Sequence, residues 1–393
     1  MSTSRRVVLA RAAAALAFPA VAPRLALAQA GKLKIGLMLP YSGTFAQIGN
    51  SIELGFRMAL QEQGNKLGGR EFEFIKLDDE SEPSKGVENA SRLVQRDKVD
   101  VLVGTVHSGV QMGIHKVARE SGVLCLIPNA GVHAATRALC APNVFRTSFT
   151  NAQPTLALGR AMVDRGHKKA VWITWKYAAG DEAFEGFKDS YTKAGGTIVK
   201  ELGLPFPNVE FQALLTEIGS LRPDAVACFF AGGGAAKFIK DYAAAGLKDK
   251  IPLYGSGFLT EGVLDAAGPA AEGIVTTMHY SDTLESPRNK AFRLAYAKKF
   301  RLQPDVYAVQ GYDTGLLLLQ GAAAVKGDLS NKKALYAALE SANIDSPRGK
   351  WTMSRQHNPV QDMYLRVVEK GENKVIGVAA KALADPGTGC RLA

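Results

Sequence analysis

Beyond its first thirty residues the sequence has no apolar run that escapes charge, glycine or proline for the roughly 20 residues a membrane-spanning helix needs. The chain after that point is expected to be soluble. Cysteine is scarce, four in 393 residues. No two cysteines form C-x-x-C, and none stands at metal-ligand spacing with a histidine, so neither a zinc site nor a dithiol redox site is expected. The six histidines are dispersed. H-E-x-x-H, G-x-S-x-G and GxxxxGK[ST] are all absent, which argues against metalloprotease, serine-hydrolase and P-loop chemistry. No catalytic residue, metal or cofactor is therefore assigned, and an exported enzyme is kept only as the contrasting class. Blocks of like charge are missing too. The net charge of +11 is scattered among acids, so nucleic acid is not an expected partner, although a mild positive field favours anionic ligands.

The start of the chain has a recognisable pattern. Arg5 and Arg6 precede an Ala/Val/Leu-rich stretch that ends in the small-x-small site Ala26-Leu27-Ala28, the form of a cleaved export leader over residues 1–28. Arg11, Pro19, Pro23 and Arg24 interrupt the stretch and argue against a membrane anchor. Residues 4–9 partly match a twin-arginine signal; the general secretory route is the alternative. Removing the leader's four arginines leaves +7 on the mature chain. Of the cysteines, Cys125 and Cys228 lie in apolar runs that read as buried strands. Cys140 and Cys390 lie in loop-like contexts beside Pro142 and Gly389. One disulfide, Cys140–Cys390, is expected, with four free thiols as the alternative.

Short apolar runs ending in Gly, Ser, Asn or Pro alternate with longer amphipathic segments, which is the pattern of strand–helix units and parallel sheets. Strands are expected at 34–40, 71–78, 101–104 and 124–128, with helices at 48–62, 83–97 and 109–121 between them. The pattern restarts after Phe149 with helices near 153–165, 181–194, 212–221, 234–245 and 261–267. They separate strands at 170–174, 197–202, 225–230, 253–255 and 273–278. Helices at 289–300, 308–326 and 332–341 follow, then period-two character over 349–378. The fold class expected is α/β, two doubly wound parallel-sheet lobes. Lobe one takes 29–147 and 281–353, lobe two takes 148–280 and 354–383, and 384–393 forms a tail.

In such sheets ligands bind outside the carboxyl ends of the strands, where loops and helix amino termini offer free N–H groups. Three first-lobe loops fit: Tyr41, Ser42 and Phe45 after the first strand, His107, Ser108 and Gly109 after the third, and Asn129, Ala130 and Gly131 after the fourth. Helix capping is the plainer reading of each. The second lobe offers Tyr177, Ala231, Gly257 and Phe258. Adjacent Asp78 and Asp79 face opposite sides of a strand end and read as structural.

Taken in order, Leu39-Pro40-Tyr41-Ser42-Gly43, Gly68-Gly69-Arg70, Asp78-Asp79-Glu80 with Pro83, Val101-Leu102-Val103-Gly104 leading to Ser108-Gly109, Phe145-Arg146-Thr147 and Gln310-Gly311-Tyr312-Asp313 resemble the branched-chain amino-acid and amide binding family. These are the type I solute-binding proteins of ATP-driven (ABC) transporters. The resemblance implies a periplasmic monomer whose lobes, joined by three crossovers near 147–149, 280–282 and 353–358, close on a small molecule and pass it to a membrane permease. It also implies that Ser108 and the Asn129-Ala130-Gly131 backbone hold a ligand carboxylate, that Tyr177 forms a wall, and that Tyr312 stands near the hinge. Amino-acid-binding members carry a second-lobe carboxylate for the ligand ammonium. The matching loop here is Ser256-Gly257-Phe258, with Glu261 expected in the first turn of a helix. A buried, unpaired ammonium is costly. Phe45, Ile48, Tyr177 and Phe258 point to an apolar or aromatic acid, and 175–180 with 311–315 resemble the aromatic-acid-binding branch. A branched-chain amino acid or amide is the alternative.

Overall fold

Strand β1 (Leu33–Leu39) opens the first sheet of the computed structural model, which describes residues 31–392; the expected leader lies outside the described residues. There follow α1 (Ala46–Glu62), β2 (Phe72–Asp78), α2 (Ser84–Ser91), β3 (Val101–Val103), α3 (Ser108–Ser121), β4 (Leu124–Ile127) and β5 (Val144–Arg146). All five strands are parallel, in the order β2-β1-β3-β4-β5. Leu33, Ile35, Leu37 and Leu39 of β1 enter the core shared with α1, while Met38 faces the cluster formed by α2 and α3. Burial on both faces explains why the inner strands β3 and β4 are continuously apolar, whereas the edge strand β2, only partly buried, carries Glu73, Lys76 and Asp78.

The second sheet repeats the arrangement. After α4 (Ala152–Asp164) come β6 (Lys169–Lys176), α5 (Ala178–Lys193), β7 (Thr197–Pro205), α6 (Gln212–Leu221), β8 (Ala225–Phe229), α7 (Gly232–Ala244), β9 (Leu253–Ser256), α8 (Leu264–Ala267) and β10 (Val275–Met278). Their parallel order, β7-β6-β8-β9-β10, is that of the first sheet. The chain then forms α9 (Pro287–Phe300), α10 (Val306–Ala324) and α11 (Lys332–Glu340). It returns to the second sheet as β11 (Thr352–Met353), β12 (Pro359–Glu369) and β13 (Glu372–Leu383), with β12 antiparallel to β10.

Helix α10 packs on α1 through glycines. A Cβ on Gly55 would sit 1.9 Å from the Ala308 carbonyl oxygen, and one on Gly311 would sit 2.0 Å from that of Ile52. Where the chain leaves the first sheet, buried arginines hold it. Arg348 pairs with Asp313 at 2.9 Å and donates to the carbonyls of Thr147 and Ser148 at 2.6 and 3.3 Å. A disulfide joins Cys140 to Cys390. The structure corrects two expectations. The helix expected at 261–267 is confined to Leu264–Ala267, so Glu261 stands in the turns before it. The segment from Val144 to Arg146, where no strand was expected, is the fifth strand.

Candidate ligand-binding pocket

The loops at the carboxyl ends of both sheets converge. Fully buried Arg146 fixes the one after β4, donating to the carbonyls of Ala130 at 3.0 Å and Val132 at 2.6 Å and to Thr136 and Asn358 at 2.7 Å each. With these loops set, a tight cavity of about 20 Å³ forms among them. Phe45, Ile48, Val106, Asn129 and Gly131 line it from the first sheet's side, and Phe149 and Asn151 from the connection to α4. Tyr177, Ala179, Phe229, Ala231 and Phe258 line it from the second side, and Tyr307 from the first turn of α10. The rings form a continuous shell: Phe258 lies 4.7 Å from Phe149, 6.1 Å from Phe229 and 6.1 Å from Tyr307, centroid to centroid. Among the described residues no charged side chain lines the cavity.

Besides the two tyrosines, three residues bring polar atoms to that wall. Asn129 donates Nδ2 to Gln310 at 2.7 Å. Asn151 donates Nδ2 to Glu182 at 2.7 Å and to the Ser108 hydroxyl at 3.3 Å. Gly131 accepts from the Asn151 N–H at 2.9 Å; a Cβ there would lie 2.3 Å from Asn151 Oδ1, so the approach requires glycine. A wider groove of about 850 Å³ lies nearby, lined by Glu261, Asp265, Asp282, Asp305 and Glu372. Its surplus of acids makes it a poor place to hold an anion.

Glu261 is buried, and its carboxylate is committed. It pairs with buried Arg366 and accepts from the Val306 N–H at 3.0 Å, at the amino terminus of α10. The acid nearest in sequence to the expected ammonium site is thus absent from the cavity wall.

Of the residues singled out in the sequence, Phe45, Ile48, Asn129, Gly131, Tyr177, Ala231 and Phe258 lie on the cavity wall. Two others stand just behind it. Ser108 is buried and bonded to Asn151. His107 caps α3, with Nδ1 accepting from Gly109 N at 3.1 Å and Val110 N at 3.4 Å. Its ring stacks on Tyr177 at 5.0 Å. Burial lowers His107 to about 4, so it stays neutral, with the proton on Nε2.

Six of the residues offered by the sequence stand off this wall. The Tyr41 ring lies under Lys76, whose Nζ is 4.2 Å from its centroid. Ser42 bonds Asp78 at 2.7 Å and is exposed. The Gly109 Cα faces Pro83. Both backbone groups of Ala130 are occupied, its N–H by Thr105 and its carbonyl by Arg146. Gly257 faces Arg366 and Met278. Tyr312, buried on α10, bonds Glu62 and accepts from Arg288 at 2.9 Å.

The sequence reading missed Val106, Phe149, Asn151, Ala179, Phe229 and Tyr307. Tyr307 had a usable signal in Asp305, whose side chain accepts from Ala308 N at 2.8 Å and caps α10.

The periplasmic binding protein family model matches residues 32–373. The chain is 30% identical over 373 residues to a Leu/Ile/Val-binding protein homolog of Brucella abortus, covering 92% of this chain and 94% of that protein. It superposes with a TM-score of 0.90 and 53% identity on an ABC transporter solute-binding protein from R. palustris in complex with benzoate, over 92% of this chain and all of that one. A solute-binding protein from Rhodopseudomonas palustris BisB5 in complex with 3,4-dihydroxybenzoic acid gives a TM-score of 0.86 at 32% identity, over 91% and 99%. Two parallel-sheet lobes of the same strand order and a matched span from 32 to 373 place this chain in the periplasmic binding protein family, among the solute-binding proteins of ABC transporters.

Proposed function

We propose that this protein is the periplasmic substrate-binding component of an ABC importer. It would take up a small aromatic carboxylate, benzoate-like or phenylpropanoid, between its lobes by hinge closure and deliver it as a monomer to a membrane permease. Residues 1–28 would act as the export leader, and the lobes would divide near 147, 280 and 353. The observation that carries the ligand reading is the cavity wall itself: among the described residues, ten apolar or aromatic side chains, two amides and a glycine, with no carboxylate to meet an ammonium. Glu261 supplies none because Arg366 and the α10 amino terminus hold it. The relatives that bind benzoate and 3,4-dihydroxybenzoic acid support this reading. The Leu/Ile/Val-binding relative supports the amino-acid alternative.

A ligand that binds only the folded state raises its stability. Thermal unfolding of the mature protein is expected to shift upward with benzoate, 4-hydroxybenzoate or a hydroxycinnamate and to stay in place with leucine. A shift with leucine alone would reverse the assignment. Recovery of an added aromatic acid chemically unchanged is expected, and its turnover would make the protein an enzyme.

A further inference from the structure

One carboxylate stands directly behind the uncharged wall. Glu182, in the first turns of α5, keeps only 17% of its side-chain surface exposed. Its Oε2 accepts from Asn151 Nδ2 at 2.7 Å, and both its oxygens accept from the His133 N–H at 3.0 Å. Among the described residues no lysine or arginine nitrogen forms an ion pair with it; His133 Nδ1 is the one basic atom in reach, at 3.8 Å. We propose that Glu182 is a positioning residue of this pocket and that capture of an anionic ligand is coupled to uptake of one proton by its carboxyl group. The proposal rests on the reading that the ligand is a carboxylate.

The argument starts from hydrogen-bond chemistry. An ionised carboxylate can only accept, so it draws the Asn151 nitrogen away from the cavity and leaves Oδ1 on the side of Gly131. An anion entering the cavity then meets an amide oxygen, with a negative charge behind it. Both repel it in a site of low dielectric. Once Glu182 takes a proton from solvent, its hydroxyl can donate to Asn151 Oδ1. The amide is then free to turn, and Nδ2 can donate to the ligand.

The surroundings leave Glu182 as the group that titrates. Burial pushes it up to about 7. From the facing loop, Arg137 is held bidentate by Asp385 at 3.1 and 2.8 Å, and Arg146 is spent on carbonyls and amides. Both favour the charged form from a distance. His133, lowered to about 3, accepts from Ala152 N through Nε2 and is neutral. On its own helix Asp181 and Glu185 are exposed, and Tyr177, just before the helix, has its hydroxyl pushed up by burial. His107, across the cavity, is also neutral. Asp79, Asp282 and Asp305 are raised to about 6 but do not line the cavity.

The test is calorimetric titration of the mature protein with benzoate from pH 6.0 to 8.5, a range in which an ordinary carboxylic acid, with a pKa near 4, stays ionised. Affinity is expected to fall roughly thirtyfold from pH 6.0 to 8.5, since a ligand that prefers the protonated protein loses affinity as that form disappears. Buffers of differing ionisation enthalpy should report uptake of about one proton near pH 7.5. Glu182→Gln should abolish both the slope and the uptake, and benzamide, which carries no charge, should show neither with the unaltered protein. Benzoate binding with flat affinity and no proton uptake overturns the proposal while leaving the aromatic-acid reading intact. So does a slope that survives in Glu182→Gln. If no aromatic acid binds and leucine does, both fall together.

Discussion

Glu261 and Arg366 show how one side chain removes another from the ligand's reach. The pair is buried, and Arg366 also donates to the carbonyls of Tyr280 at 2.8 Å and Gly257 at 3.1 Å. Arg366→Met would leave a buried carboxylate uncompensated. The expected loss is about 3–5 kcal/mol in urea unfolding, part of it recovered by adding Glu261→Gln. A single-variant loss below about 1 kcal/mol would show that the pair is not buried as described. At the cavity, Phe258→Ala should weaken aromatic-acid binding roughly tenfold or more, because a ring stacked in a closed pocket contributes on the order of 1–2 kcal/mol. Tyr312→Phe should leave that affinity unchanged within about twofold, since its hydroxyl serves Glu62 and Arg288. Equal losses in both variants would contradict the placement of Tyr312. At this scale the sequence reading found the wall residues that directly follow strands, such as Asn129, Tyr177 and Phe258. Phe149, Asn151 and Tyr307 escaped it because a connecting segment and a helix start reach the cavity only through tertiary packing.

Elements with strong periodicity were legible, and the exceptions have physical reasons. Strand β5 is as short as β3 but ends in Arg146, so it shows two apolar residues where β3 shows three. The stretch from Glu261 to Ala267 reads as helical, yet Glu261 is drawn to Arg366 and the regular helix starts only at Leu264. The carboxyl-terminal tail after β13 has almost no regular structure. Its anchors are Cys390, bonded to Cys140, and Asp385, paired with Arg137 at 2.8 Å. A bridge spanning 250 residues restrains the unfolded chain strongly. Replacing both cysteines by serine is expected to cost about 2–5 kcal/mol in denaturant unfolding. Peptide mapping without reduction should recover the Cys140–Cys390 link, and four free thiols in the mature protein would remove it.

Across the whole molecule, buried groups of opposite sign act together. His107 and His115 are lowered to about 4 and His133 to about 3, by burial. The unfolded chain, with histidine near 6.5, therefore takes up their protons first, and stability falls with pH below that value. Burial raises Asp79, Asp282 and Asp305 to about 6, above the ordinary carboxylate range. There the folded state takes up protons first, and stability rises as pH falls from about 6 toward 4. The two sets largely offset each other, so the urea midpoint should change little between pH 6 and 4.5. A steep loss should follow below pH 4, where Asp78 and Asp385 become protonated. Hydrogen bonds outweigh burial at both and hold them below the usual range. A steady decline from pH 6.5 downward would contradict this balance.

The repeated strand order leaves one free cysteine buried in each sheet, Cys125 in β4 and Cys228 in β8. Burial pushes the Cys125 thiol up to about 12 and raises that of Cys228 as well. Neither can be alkylated until its own lobe opens. The protein thus carries two internal clocks, and their labelling rates, read separately by mass spectrometry, time how often each lobe breathes and whether a bound ligand slows one or both.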